Sequence, residues 1–120
     1  MGNFIFPLLS SYKTIRAFTC DFSRRAVEFV KDRAIKESFD DRLTAFCADL
    51  TTDDWLSNIG TVKCQISTLI FVLSAIHPTK FVDTLTNVGK ALNDGGIILF
   101  RDYGINDHAM IRFKPGSKVR

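Results

Sequence analysis

Apolar and polar positions alternate along this chain in short blocks, and the period of each block predicts an element. Phe4 to Tyr12 reads as a short helix, with Pro7 tolerated only near its first turn. Ile15 to Cys20 is a strand rich in β-formers. Ser23 caps a helix running to about Ala34, with Ala26, Val27, Val30 and Ala34 on one face. Leu43 to Ala48 is a second strand, followed by the polar turn Thr51-Thr52-Asp53-Asp54 and a helical turn through Trp55 and Leu56. Cys64 to Leu73 is a third strand, apolar throughout its second half, as in a strand buried on both faces. Pro78 opens a helix to about Asn93 with Phe81, Val82, Leu85, Val88, Ala91 and Leu92 as its apolar stripe. Asp94-Gly95-Gly96 stops that helix, and Ile97 to Phe100 is a fourth strand.

Strand and helix therefore alternate, with connections long enough for parallel pairing through right-handed crossovers. The predicted fold class is α/β, of Rossmann type. The chain has 120 residues, enough for one core, and no repeat or linker marks a second domain.

Two strands end in an acid: Asp21 follows Cys20, and Asp49 follows Ala48. In a nucleotide-binding sheet an acid at a strand end hydrogen-bonds the ribose, about 20 residues beyond a glycine turn. Gly2 precedes Asp21 at close to that spacing. A single such Asp is better read as a helix cap or turn residue. Two in successive β-α units shift the reading toward a nucleoside site.

The fourth strand runs straight into Arg101-Asp102-Tyr103-Gly104, then Asp107-His108 and Arg112-Phe113-Lys114. A buried-strand pattern ending in ionisable and aromatic groups is how an open α/β sheet presents a ligand site. The plainer reading makes Arg101-Asp102 an ion pair, Tyr103-Gly104 a turn and His108 a surface residue. His77, before Pro78, reads as a helix-entry residue, and Trp55 and Phe71 as packing residues.

Charge adds little. Sixteen basic residues against thirteen acidic ones give a net charge of +3, compatible with a polyanionic partner without requiring one. The basic excess is concentrated at the end, in Arg101, Arg112, Lys114, Lys118 and Arg120, as a solvated tail or a phosphate-contacting patch. Three dispersed cysteines, Cys20, Cys47 and Cys64, predict reduced, buried thiols in a reducing intracellular compartment, the cytoplasm or alternatively the nucleus. Their spacing predicts no metal. No apolar stretch is long enough for a membrane span, and the run after Met1 has no basic region before it.

In chain order, Asp21-Phe22-Ser23, Cys47-Ala48-Asp49-Leu50-Thr51, Leu69 to Pro78 and the Phe100 to Lys114 segment resemble the methyltransferase-like family of tRNA 3-methylcytidine methyltransferases. The similarity runs from Gly2 to about Lys114. It implies a Rossmann-like class I methyltransferase fold, dependence on S-adenosylmethionine, and tRNA as substrate. By position it implies that Asp21 binds the cofactor ribose, that Asp49 and Leu50 frame the adenine, and that Ile70 packs on the adenosine. Gly2 and Asn3 match only the tail of the family's Gly-x-Gly-x-Gly-Asn loop. The family's first strand and leading glycines have no counterpart here, and its last strands lie beyond Lys114. The resemblance thus predicts an incomplete domain over 1–120, with 104–120 as a substrate-side loop and basic tail.

For methylation at cytosine N3, Asp102 is the candidate acceptor for the exocyclic amine, Tyr103 a stacking partner, and His108 a donor to base or phosphate. Arg101, Arg112 and Lys114 are candidate RNA-backbone contacts. The rival expectations are a non-catalytic truncated paralogue that binds tRNA or a protein partner, and a Rossmann-like enzyme using another nucleotide.

Overall fold

A computed structural model describes residues 3–102 and, at the level of the backbone, 109–114 and 118–119. The chain divides into two compact units, Met1–Asp49 and Leu50–Arg120, and among the described residues the strands form two sheets, one in each.

The first unit begins with α1 (Ile5–Ser11). Pro7 falls in its first turn, where a missing N–H costs nothing. The orphan carbonyls at its other end are met from a distance. The Arg42 guanidinium donates to the carbonyl oxygens of Leu9 (2.9 Å), Tyr12 (3.0 Å) and Ile15 (3.2 Å). Strand β1 (Ala17–Asp21) leads to α2 (Arg24–Lys36). The Ser23 hydroxyl accepts from the Ala26 N–H at 3.2 Å, so Ser23 is the predicted cap. Val27, Val30 and Ala34 are buried as the helical period requires. At the end of α2, Ser38 takes φ 62°, which lets its N–H reach the Ile35 carbonyl and the Phe39 N–H reach that of Ala34. The chain then enters β2 (Leu43–Cys47), which pairs in parallel with β1, Ala17 opposite Leu43 and Asp21 opposite Cys47. Phe6, Leu9, Val27, Val30, Ala34, Leu43 and Ala45 make the core of this unit.

In the second unit a 3-10 turn over Asp54–Asn58 buries Trp55, whose indole N–H donates to the Thr52 carbonyl at 2.7 Å. Strand β3 (Cys64–Ile70) follows, then a 3-10 turn over Leu73–Ala75, another over Pro78–Lys80, and α3 (Phe81–Gly89). The sheet is completed by β4 (Leu92–Arg101), β5 (Ala109–Lys114) and β6 (Lys118–Val119), in spatial order β3-β4-β5-β6. The β3-β4 pair is parallel, as alternation predicts, and the other two pairs are antiparallel. Among the described residues no helix is long and apolar enough to cross a membrane.

Several expectations are corrected here. The third strand stops at Ile70, and of its residues only Leu69 is buried, because among the described residues its sole ladder partner is β4. Ile66 and Ile70 are exposed, so the continuous apolar run does not mark burial on both faces. Phe71 is not core: it is 41% exposed and takes φ 55°. Helix α3 ends at Gly89, not Asn93, because the Ala91 carbonyl accepts from the Cys64 N–H at 2.8 Å and is drawn into the sheet. Of the predicted stripe, Val88, Ala91 and Leu92 are buried and Phe81 and Leu85 half-buried, but Val82 is 75% exposed, and Thr84 and Asn87 join the buried face. Asp94-Gly95-Gly96 therefore lies inside β4, where the register shifts between Cys64 and Ile66. A Cβ on Gly96 would stand 2.8 Å from the Asn93 carbonyl oxygen, so no side chain fits there. Strand β5 occupies part of the segment read as loop and basic tail, its Ile111-Arg112-Phe113-Lys114 alternating with the period of a strand. The thiols are free, but Cys47 is exposed and Cys20 and Cys64 are only partly buried.

Candidate functional site

Each unit presents the carboxyl ends of two parallel strands. In the first, Asp21 is the last residue of β1 and half-buried. Its Oδ1 accepts from the Ser23 N–H at 2.8 Å, and its carbonyl accepts from the Ala48 N–H at 3.0 Å. The first bond sets the turn into α2, so the plain turn role holds. A carboxylate offers about four acceptor positions, and one backbone donor leaves room for the vicinal hydroxyls of a ribose. Asp49 stands two residues past β2 and is exposed. Both acids are thus at strand ends, as the sequence pattern predicts. Beside Asp21, burial pushes the Cys20 thiol up to about 11, with the Asp21 charge adding to the shift. At neutral pH that sulfur is a thiol and not a nucleophile.

In the second unit, Ile70 and Arg101 are opposite partners at the ends of β3 and β4. Just beyond, the Phe71 N–H donates to the Arg101 carbonyl at 2.7 Å, and the Arg101 guanidinium lies 5.8 Å from the centre of the Phe71 ring. Asp102 is 8% exposed, and its Oδ2 accepts from the Ser74 N–H at 2.9 Å. The carboxylate is therefore held in place by the turn that follows β3. Ile70 is 38% exposed, an apolar surface beside this charged pair of residues.

Leu50 begins the second unit and is half-buried. Its carbonyl accepts from the Asn87 side-chain amide at 3.1 Å. Three residues on, the Asp53 carboxylate meets the Lys90 ammonium at 3.2 Å. A shallow polar cleft of about 240 Å³ lies among these groups. Nothing in the sequence pattern marked Asn87, because it acts on a partner distant in the chain.

The second unit thus brings Ile70, Arg101 and Asp102 together. Arg112 lies elsewhere along the hairpin, opposite Ile97, four register positions back from Arg101, or roughly 13 Å at strand rise. Lys114 is further along β5, opposite Lys118. Gly2, Tyr103 and His108 lie outside the described residues. His77 takes its predicted place at a helix entry, its Nδ1 accepting from the Thr79 N–H. Trp55 is buried packing. Among the described residues no group of His, Cys, Asp and Glu could hold a metal ion.

No family model matches the chain. Curated relatives do. The chain is 50% identical over 119 residues to the rat tRNA N(3)-cytidine methyltransferase METTL6, covering 99% of this chain and 41% of that protein. With the human protein of that name the identity is 46%, with the same shares covered. With the tRNA N(3)-methylcytidine methyltransferase trm141 of Schizosaccharomyces pombe it is 35%, over 94% of this chain and 45% of that one. The chain spans about two fifths of the length of these relatives. Among solved structures it is similar to an O-methyltransferase of a trans-AT PKS multienzyme of Brevibacillus brevis in complex with S-adenosyl-L-homocysteine. That likeness has a TM-score of 0.71 at 17% identity, over 98% of this chain and 37% of that one. Another, PigF with SAH, has a TM-score of 0.65 at 18% identity, over 84% of this chain and 32% of that one. These likenesses show the fold, the Rossmann-like α/β arrangement of class I methyltransferases, as the resemblance implied.

Proposed function

We propose that this chain, related over nearly its whole length to the tRNA N(3)-cytidine methyltransferases, serves S-adenosylmethionine-dependent methylation of tRNA at cytosine N3. The observation that carries the reading is the 50% identity across 99% of the chain. Two placements support it: acids at the ends of both strands of the first sheet, and Ile70, Arg101 and Asp102 at the ends of β3 and β4.

The residues present suit the cofactor. Asp21 keeps acceptor capacity for ribose hydroxyls, Asp49 is exposed and able to accept from an adenine amino group, and Leu50 and Ile70 offer apolar surface. Gly2 belongs to the same reading as the approach to the methionine end. S-adenosylmethionine supplies a methyl group on a sulfonium. Cytosine N3 keeps its lone pair at neutral pH, so no residue has to remove a proton to create the nucleophile. The ring gains positive charge as the methyl arrives. A carboxylate accepting from the exocyclic N4 amine orients the base and stabilises that charge. Asp102 takes this role, already oriented by the Ser74 N–H. Tyr103 stacks on the extruded base and His108 donates to base or phosphate. Arg101 stays near the base, whereas Arg112 and Lys114, set back along β5, contact the RNA backbone further away. A protein partner that helps to present the tRNA belongs to the same proposal.

Titration calorimetry with S-adenosylhomocysteine tests the cofactor half. The 120-residue chain is expected to bind, and Asp21→Ala to weaken binding by about tenfold, the worth of one charge-assisted hydrogen bond. Absence of binding to the folded chain, or unchanged affinity in Asp21→Ala, contradicts the assignment.

A further inference from the structure

We propose that Asn87 is a positioning residue for the cofactor: its buried amide holds the Leu50 carbonyl and so fixes the loop that frames the adenine. The inference rests on the reading of Leu50 given above. Asn87 is 7% exposed and lies on α3 next to the buried Val88 and Gly89. An amide placed there is costly unless its polar atoms are hydrogen-bonded. Its partner is a backbone carbonyl 37 positions away in sequence, at 3.1 Å. Just past the end of α3 and still in helical conformation, the C-cap Lys90 reaches the Asp53 carboxylate at 3.2 Å. Positions three apart share a helix face, so one face of α3 grips both ends of the segment from Leu50 to Asp53.

The two grips are unequal. Lys90 and Asp53 have side chains 45% and 64% exposed, and an ion pair so wetted contributes little. The Asn87 bond is part-buried, at the wall of the cleft, and ties the side chain of a buried residue to main chain. It therefore sets where the Leu50 backbone stands, and with it the apolar side chain beside the adenine. A segment held before the ligand arrives needs no ordering on binding, which raises affinity without touching the ligand.

The test titrates S-adenosylhomocysteine and its hypoxanthine analogue, S-inosylhomocysteine, into the wild-type chain, Asn87→Ala, Asn87→Asp and Lys90→Ala. Asn87→Ala is expected to weaken S-adenosylhomocysteine by about tenfold. The hypoxanthine analogue loses less, so discrimination between the two bases narrows. Lys90→Ala stays within about twofold. Asn87→Asp keeps the volume and removes the donor, so it serves where Asn87→Ala fails to fold. Hydrogen exchange on the ligand-free variants gives an independent readout: faster exchange at Thr51, Thr52 and Asp53, with the β3-β4 ladder unchanged. Wild-type affinity for both ligands in both Asn87 variants overturns the inference alone. So does an equal loss for both ligands with exchange accelerated throughout. A wild-type chain that binds neither ligand refutes the cofactor reading and the inference with it.

Discussion

Asp21 shows how one residue carries two readings. It is a turn residue by its bond to the Ser23 N–H and a candidate ribose acceptor by its place at a strand end. Its neighbour Cys20 reports on the same spot by titration. The folded pKa is raised from 9.0 to about 11, chiefly by burial. The protonated thiol is thus favoured by folding, so its contribution is complete below pH 9 and is lost as pH rises toward 11. Denaturant melts of the wild type against Cys20→Ala should diverge across that window, the wild type losing about 2 kcal/mol more. Parallel pH profiles would refute the raised pKa of the thiol. Thr84 makes a second residue-scale case. It is fully buried, and its hydroxyl has no hydrogen-bond partner among the described residues. Thr84→Val should raise stability by about 1 kcal/mol, by removing a desolvated hydroxyl at nearly constant shape. A loss of stability in urea melts would show that the hydroxyl is used.

Elements were legible where local chemistry decides them. Ser23 before the Val27, Val30, Ala34 period announces α2, and the cap bond is observed. The β1-β2 pair follows from strand-helix-strand order, and its parallel register is observed. What escaped depends on partners remote in sequence. Cys64 to Leu73 is apolar enough for a doubly buried strand, yet burial is set by neighbours, and β3 has one within its sheet. Helix α3 continues in pattern to Leu92, but the Cys64 N–H claims the Ala91 carbonyl and Lys63 that of Lys90. Strand β5 hides its period behind a polar segment and a basic tail. One element-scale prediction concerns the end of α2. Ser38 sits at φ 62° with nothing in its side chain requiring serine, and glycine is the residue that adopts this conformation without steric penalty. Ser38→Gly is expected to stabilise the chain by about 0.5–1 kcal/mol. A lower midpoint in thermal melts would mean that the helix end is built differently.

For the whole molecule, class and candidate site were legible to different depths. Alternating strands and helices gave the α/β class, and ordered short motifs gave the methyltransferase resemblance. Structural likeness and curated relatives agree with both. Of the proposed site residues, Asp21, Asp49, Ile70, Arg101 and Asp102 fall at or just past strand ends, because the strand-end rule follows from topology alone. Asn87 was invisible, since its bond to a distant backbone carbonyl leaves no period in sequence, and the Ser74 contact to the Asp102 carboxylate runs through a main-chain N–H that no side-chain pattern marks. Asp102 is the proposed centre of cytosine recognition, and tRNA methylation tests it. The chain is incubated with S-adenosylmethionine and unmodified tRNA, and the digested nucleosides are resolved by mass spectrometry. The expected product is 3-methylcytidine, lowered by about 10²–10³-fold in Asp102→Ala, as for loss of one group that stabilises transition-state charge. Methylation at another nucleoside, no 3-methylcytidine at all, or a yield untouched by Asp102→Ala would contradict it.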